Sequence, residues 1–144
     1  MLKNKRPAKA GLLFDGIIRK IKINFMIDTN LNVLVLNASL KHHDTPSNTE
    51  EVTEIVLGHM KKQAEFVAET IRLSDKDIPV GLGFKESETD EWPAIVEKIK
   101  AADIVIFATP IWWGSRSSLM QRVIERMDAF DEEVIAGGRK RAFK

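Results

Sequence analysis

DIVIFATPIWWGSRSSLMQRVIER, residues 103–126, joins a β-branched apolar run to a Thr-Pro-Ile-Trp-Trp-Gly turn and then to an amphipathic helix pattern. A short, continuous apolar run suits a strand buried on both faces, as in a parallel sheet. Open α/β sheets place their ligands at the carboxyl ends of such strands, where the turn would lie. Two adjacent tryptophans beside a glycine offer an aromatic wall there, with close approach of backbone to a flat ring.

Upstream, Val33-Leu34-Val35-Leu36 is a second apolar run bounded by asparagines and reads as the first core strand. A polar loop over residues 37–47 follows, then a segment in which Val52, Ile55, Val56, Met60, Ala64 and Val67 recur at helical spacing. Ser47 with Glu50, or Asn48 with Glu51, supplies a capping box at its start. Thr70-Ile71-Arg72-Leu73 reads as a short strand, and residues 74–90 as a loop carrying Pro79, Gly81 and Gly83. A helix over residues 92–102 has Pro93 in its first turn and Ile95, Val96 and Ile99 on its buried stripe. Strand 104–108 and helix 117–130, with Leu119, Met120, Val123, Ile124 and Met127 on one face, complete the order β-α-β-loop-α-β-α. That alternation predicts an α/β fold with right-handed crossovers and a doubly wound parallel sheet in strand order 2-1-3.

At the amino end, residues 1–10 are basic, and Leu12, Leu13, Phe14, Ile17, Ile18 and Ile21 suit one face of a short helix. Residues 1–30 therefore read as an extension and residues 31–144 as the domain. After the last helix come residues 137–144, Gly-rich and basic, with no following strand. An apolar third strand without an outer neighbour leaves open backbone donors and acceptors, an association hazard. The expectation is that something covers that edge, the strand-like stretch 21–27 or a second copy in a homo-oligomer, or that the sequence is incomplete.

The 144 residues, 44% of them hydrophobic, suffice for one domain with a real core. The 22 basic and 21 acidic side chains nearly cancel, which gives no electrostatic reason to expect a nucleic acid or a membrane as partner. With no cysteine, a disulfide framework, a thiolate metal site and a cysteine nucleophile are excluded, and redox chemistry has to come from a cofactor. No stretch approaches a membrane span and residues 1–10 lack a signal peptide's apolar core, so a soluble cytoplasmic protein is expected.

Two loops carry the candidate chemistry. NASLKHHDTPSNT, residues 37–49, puts hydroxyls and Lys41 just before a helix start, where free N–H groups and the helix dipole attract a phosphate. The same residues also serve as ordinary caps and turn formers. In the second loop, Trp112 and Trp113 either hold a ring, cover the sheet's end or meet another subunit. Both loops follow neighbouring strands at the topological switch point, so one ligand with a phosphate at one end and a planar ring at the other would span them. Neither a Walker loop nor a G-x-G-x-x-G fingerprint is present. His42-His43 has no third ligand in sequence and reads as solvated rather than as a metal site. Ser115, Ser117 and Ser118 lack a nucleophile elbow, and Asp90-Glu91 reads as a helix cap with first-turn acid.

NASL and PSNTE after the first strand, IRLSDKDIPVGLG after the second, DEWP opening a helix and AADIVIFATPIWWGSRSSLMQRVIERMDA together resemble the flavodoxin-like NAD(P)H-dependent FMN reductase family. The resemblance runs over residues 31–131 and implies a flavodoxin-like sheet of five parallel strands with FMN at its carboxyl edge. It implies that Ser39, Lys41, Ser47, Asn48 and Thr49 line the FMN phosphate, and that Pro110, Ile111, Trp112, Trp113 and Gly114 line the isoalloxazine and ribityl side. Lys41 stands where many relatives have arginine. Family members continue into a fourth strand, a flavin loop and a fifth strand, so the chain looks like the amino-terminal two-thirds of such a protein. The implied function is an oxidoreductase that moves hydride from NAD(P)H through bound FMN to a quinone, flavin or other small-molecule acceptor, with no side-chain catalyst and no metal. The alternatives are a flavodoxin-type electron carrier, a flavin-binding module without NAD(P)H turnover, and a non-catalytic fragment.

Overall fold

Val33, Leu34, Val35 and Leu36 are all buried, as a four-residue apolar run must be when helices cover both faces of its strand. They form the centre of β1, Leu31–Asn37, in a computed structural model that describes residues 31–128. Expectations placed on residues 1–30 and 129–144 lie outside the described residues. Helix α1 is Asn48–Met60, β2 is Phe66–Arg72 with a 3-10 turn Leu73–Asp75 behind it, α2 is Trp92–Ala101, β3 is Ile104–Ala108 and α3 is Ser118–Arg126. Between β3 and α3 lies a two-stranded hairpin, β4 Ile111–Trp112 and β5 Ser115–Arg116.

The three long strands are parallel in order β2-β1-β3, as expected of a flavodoxin-like sheet. Asn37 at the end of β1 lies beside Arg72 of β2 and Ala108 of β3, so three loops leave the sheet at one edge. Leu34, Leu36 and Ala38 face Trp92, Ile95, Val96 and Ile99 of α2 and Met120 and Val123 of α3. The opposite face is thinner, with Val33 and Val35 against Leu57 of α1. Among the described residues no strand pairs with the outer side of β3.

Three expectations are corrected. Helix α1 stops at Met60, and Val67 belongs to β2, which begins at Phe66 rather than Thr70. Parallel pairing from Leu31↔Phe66 onward decides the boundary, because it gives the whole length of β1 a partner. The apolar recurrence across 52–67 therefore ran through two elements. Within α1, Val52, Ile55 and Val56 are exposed, and the buried positions are Thr53 and Leu57. Residues 111–116 form a hairpin rather than an open loop.

Asp90-Glu91 is not the expected cap and first-turn acid: Glu91 is the N-cap of α2 without a side-chain cap bond, no acid lies in the first turn, and Asp90 stands just before the helix. Its Oδ1 accepts the Trp92 N–H at 2.9 Å, while Oδ2 accepts the Glu86 N–H and pairs with Arg126 at 2.7 Å, both side chains being fully buried. Arg126 also donates to the Pro79 and Phe84 carbonyls, and Arg122 to that of Ile78, so α3 staples the 78–90 loop. Burial pushes the Asp90 carboxyl up, but the hydrogen bonds it accepts and the adjacent guanidinium outweigh this and hold it below the ordinary value. Glu91 meanwhile takes Lys76 and the Asp77 N–H.

Candidate functional site

The chain leaves β1 with its side chains turned inward. Asn37 and Ser39 are buried, and the Ser39 N–H donates to Asn37 Oδ1 at 2.9 Å, an Asx-type turn that bends the loop away from the strand. Ser39 Oγ accepts the Lys41 N–H at 3.3 Å, and Lys41 Nζ reaches forward to the Pro46 carbonyl at 2.9 Å. The loop closes on Ser47, the N-cap of α1, whose Oγ accepts the Glu50 N–H at 3.2 Å. Neither capping box read from the sequence is completed: Ser47 caps the helix, but the Glu50 carboxylate that would reach back to the Ser47 N–H is paired with Arg72 instead. Helix geometry leaves the first-turn N–H groups of α1, including those of Asn48 and Thr49, without intrahelical acceptors. The loop thus presents a helix end with free first-turn N–H groups, beside the first-turn carboxylates of Glu50 and Glu51.

From β2 comes a second set of ties. Arg72 donates to the Lys41 carbonyl at 3.0 Å and pairs with Glu50, and Ser74 Oγ donates to the same carbonyl at 2.8 Å. His42 and His43 each bring Nδ1 to 3.1 Å from one oxygen of Asp75. Partial desolvation pushes the Asp75 carboxyl up, but hydrogen bonds from His42 and His43 and the proximity of His43 bring it below its usual value. Among the described residues no His, Cys, Asp or Glu cluster is arranged to hold a metal ion.

The loop after β3 is different. Thr109 Oγ1 accepts the Ser117 N–H at 3.1 Å, and Ser117 Oγ donates to the Ala38 carbonyl at 2.8 Å, while the Ala38 N–H donates to Ala108. Ser117, buried and capping α3, therefore ties the foot of the hairpin to the foot of the first loop. Beyond that foot the hairpin is bare: Ile111, Trp112 and Trp113 are exposed. Its tip is Trp113 at φ 49° and Gly114 at φ 79°, consecutive left-handed residues as a tight hairpin turn requires. A bulky side chain in that region stores strain.

A cleft of about 430 Å3 opens between α1 and the end of β3, lined by Asn48, Thr49, Val52, Thr53, Val56, Ile106, Phe107, Ala108, Thr109 and Pro110. Of the residues expected to form a site, Asn48, Thr49 and Pro110 meet in this cleft. Ser39, Lys41 and Ser47 do not line it; their polar groups are bonded to the chain within the first loop. Ile111, Trp112, Trp113 and Gly114 are in the hairpin and do not line the cleft. The structure adds two residues that the sequence reading passed over. Asn37 Nδ2 is buried without a hydrogen-bond partner, and Arg72 is nearly buried beneath the first loop. A polar residue at the end of each strand run, just where a loop departs, was the signal available for both.

Comparison with known proteins bears on the family and the fold. Residues 31–143 match the family model for NADPH-dependent FMN reductase. A solved structure of RosB with bound 8-demethyl-8-formylriboflavin-5'-phosphate superposes with a TM-score of 0.55 and 26% identity, covering 68% of this chain and 42% of that one. The chain is 30% identical over 111 residues to an 8-demethyl-8-aminoriboflavin-5'-phosphate synthase of Streptomyces davaonensis, covering 71% of this chain and 43% of that protein. It is also 39% identical over 103 residues to a protein of Mycobacterium bovis named divalent metal cation transporter MntH, covering 69% of this chain but 15% of the relative. The chain thus spans less than half the length of each of these proteins.

Proposed function

The chain belongs to the NADPH-dependent FMN reductase family, and from that premise we propose that it binds FMN where β1 and β3 end and passes reducing equivalents from NAD(P)H to a small-molecule acceptor. FMN is the cofactor and NAD(P)H the co-substrate that membership carries. The residues present fit such a group. The α1 amino terminus with Ser47, Asn48 and Thr49 suits a phosphomonoester, since its N–H groups and hydroxyls answer anionic oxygens. A cleft of about 430 Å3 adjoins it, within the range of small-ligand sites, and the unpartnered Asn37 amide lies at the foot of the same loop.

Bound there, the flavin would supply the hydride chemistry. The chain's own part is to bind and orient. Ser39, Lys41, Ser47, Asn48 and Thr49 hold the phosphate side, with Ser39 and Ser47 keeping the loop in shape. Pro110, Ile111, Trp112, Trp113 and Gly114 form the ring side, with the tryptophans excluding water and shaping the approach to the ring. A quinone, a free flavin or another small oxidant is the proposed acceptor. Among the described residues no helix is long and apolar enough to cross a membrane.

The observation that carries the proposal is the meeting of the α1 amino terminus, through Asn48 and Thr49, with a cleft at the switch point of the sheet. Titration of the chain with FMN, following flavin and tryptophan fluorescence together, is expected to saturate with quenching of both. No saturable quenching would refute it. The bareness of Ile111, Trp112 and Trp113 favours a second reading, a flavin-binding module without NAD(P)H turnover. Rapid mixing of the FMN-loaded chain with NADPH separates the two, because only the oxidoreductase bleaches the flavin absorbance.

A further inference from the structure

Arg72 closes β2 beneath the first loop with its side chain only 7% exposed. Its guanidinium donates to the Lys41 carbonyl at 3.0 Å and to the His42 carbonyl at 3.5 Å, and pairs with the Glu50 carboxylate in the first turn of α1. A nearly buried cation thus holds two carbonyl dipoles and one carboxylate. All three are negative ends located around a helix terminus whose N–H groups attract anions. Glu50 in particular is well placed for the helix dipole and badly placed for a phosphate, because two anions at one helix amino terminus repel. Pairing with Arg72 cancels much of that opposition. The planar guanidinium also suits the task, since one fork reaches loop carbonyls and a carboxylate together where a lysine ammonium would make fewer directed bonds.

Resting on the flavin reading above, we propose that Arg72 is a positioning residue for the flavin 5'-phosphate. It fixes residues 41–42 and draws the charge of Glu50 away from the incoming anion. Arg72 and Glu50 thereby set how strongly the site prefers FMN over riboflavin, which has the same ring and lacks the phosphate. A merely structural arginine would affect both ligands alike.

The test is a fluorescence titration of the full chain and its Arg72→Gln, Glu50→Gln and doubly substituted variants with FMN and with riboflavin, alongside thermal melts. Arg72→Gln is expected to weaken FMN about tenfold or more, the usual scale for losing a charge-assisted contact, while riboflavin changes less than about twofold. Glu50→Gln, whose amide oxygen can still accept from Arg72 and whose fold the melts check, is expected to tighten FMN about threefold with riboflavin unmoved. In the double variant, part of the loss caused by Arg72→Gln returns. Equal losses for both ligands in Arg72→Gln, or no FMN gain in Glu50→Gln, overturn the assignment. Should Arg72→Gln fail to fold, the Glu50→Gln titration decides alone. A parent chain that binds both flavins with equal affinity refutes the role of Arg72 and leaves the flavin site standing, whereas one that binds neither refutes both.

Discussion

In the loop after β1, Ser39, Lys41 and Ser47 turn their polar atoms onto the chain, and Arg72, Ser74 and Asp75 hold the loop from β2. In the hairpin after β3, by contrast, Thr109 and Ser117 fix the foot, and Ile111, Trp112 and Trp113 stand in solvent above it. The first region is finished by its own contacts. The second carries apolar surface and left-handed backbone at no visible gain to folding, which is how functional or interface segments commonly differ from scaffold. One half of the candidate site is therefore preorganised, and its ligand affinity and folding stability should move together. In the other half they should separate.

The largest break available lies behind both regions. Arg126→Met leaves Asp90 buried and unpaired and removes the donors that hold the Pro79 and Phe84 carbonyls. Loss of one partner of a buried pair costs about 3–5 kcal/mol, so urea unfolding should show a marginal fold or none. The same pair governs acid stability. The Asp90 carboxyl lies below its ordinary value of 3.8 in the folded chain, so its contribution is present above that value and is lost as pH falls through the lower folded one. Replacing both partners by Leu and Met should flatten the acid limb below about pH 4 and remove the unpaired charge that Arg126→Met leaves, while still losing the acceptor for the Glu86 and Trp92 N–H groups. If the double variant is as unstable as the single one, the backbone groups that Asp90 and Arg126 satisfy matter more than the pairing of their charges.

Ser117→Ala comes next, because it cuts the link between the two regions. It removes the bond to the Ala38 carbonyl and the cap on the Met120 N–H. The expected cost is about 2 kcal/mol by urea titration. Affinity for FMN and for riboflavin should fall together, since the two loops lose their common footing. A stability loss with unchanged binding of both would mean that the loops are positioned independently.

Ser47→Ala probes the finished region by itself. Losing the α1 cap should cost about 1 kcal/mol and weaken FMN while sparing riboflavin. Stability lost without any FMN penalty would make Ser47 a cap alone and remove one member of the proposed phosphate side.

The parts of this comparison that the sequence made legible are those in which one residue type has one physical use. Val33 to Leu36 form a strand because a continuous apolar run needs cover on both faces, and Pro93 lies in the first turn of α2 because its missing N–H costs nothing there. Ile104 to Ala108 form a strand too, but against expectation none of them is fully buried and Phe107 is exposed, because β3 has no outer neighbour among the described residues. The boundary between α1 and β2 was not legible. Ala64 and Val67 continue a helical period, and only the register with Leu31 and Asn32 of a distant strand assigns Phe66 and Val67 to a sheet. In the site, the hydroxyl-rich loop could be read because caps and phosphate binders are the same residues. Arg72 could not be read as part of it, because its partners lie some thirty residues away in Lys41 and His42. The hairpin is not legible in the sequence, because Trp113 is an improbable left-handed residue and local propensity argues against the conformation it adopts.

That improbability makes Trp113→Gly the smallest and most discriminating test. Glycine adopts a φ of 49° without penalty, and no packed neighbour is lost where the side chain is fully exposed, so stability should rise by up to about 1 kcal/mol. Binding should move the other way, with FMN and riboflavin weakened alike, because the ring side does not distinguish a phosphate. Ser47→Ala and Trp113→Gly would then carry opposite signs in stability and different signatures in ligand choice. A Trp113→Gly chain that loses stability would break the comparison, because it would mean that the indole is covered in solution and that the hairpin tip is as much a part of the folded structure as the loop beside it.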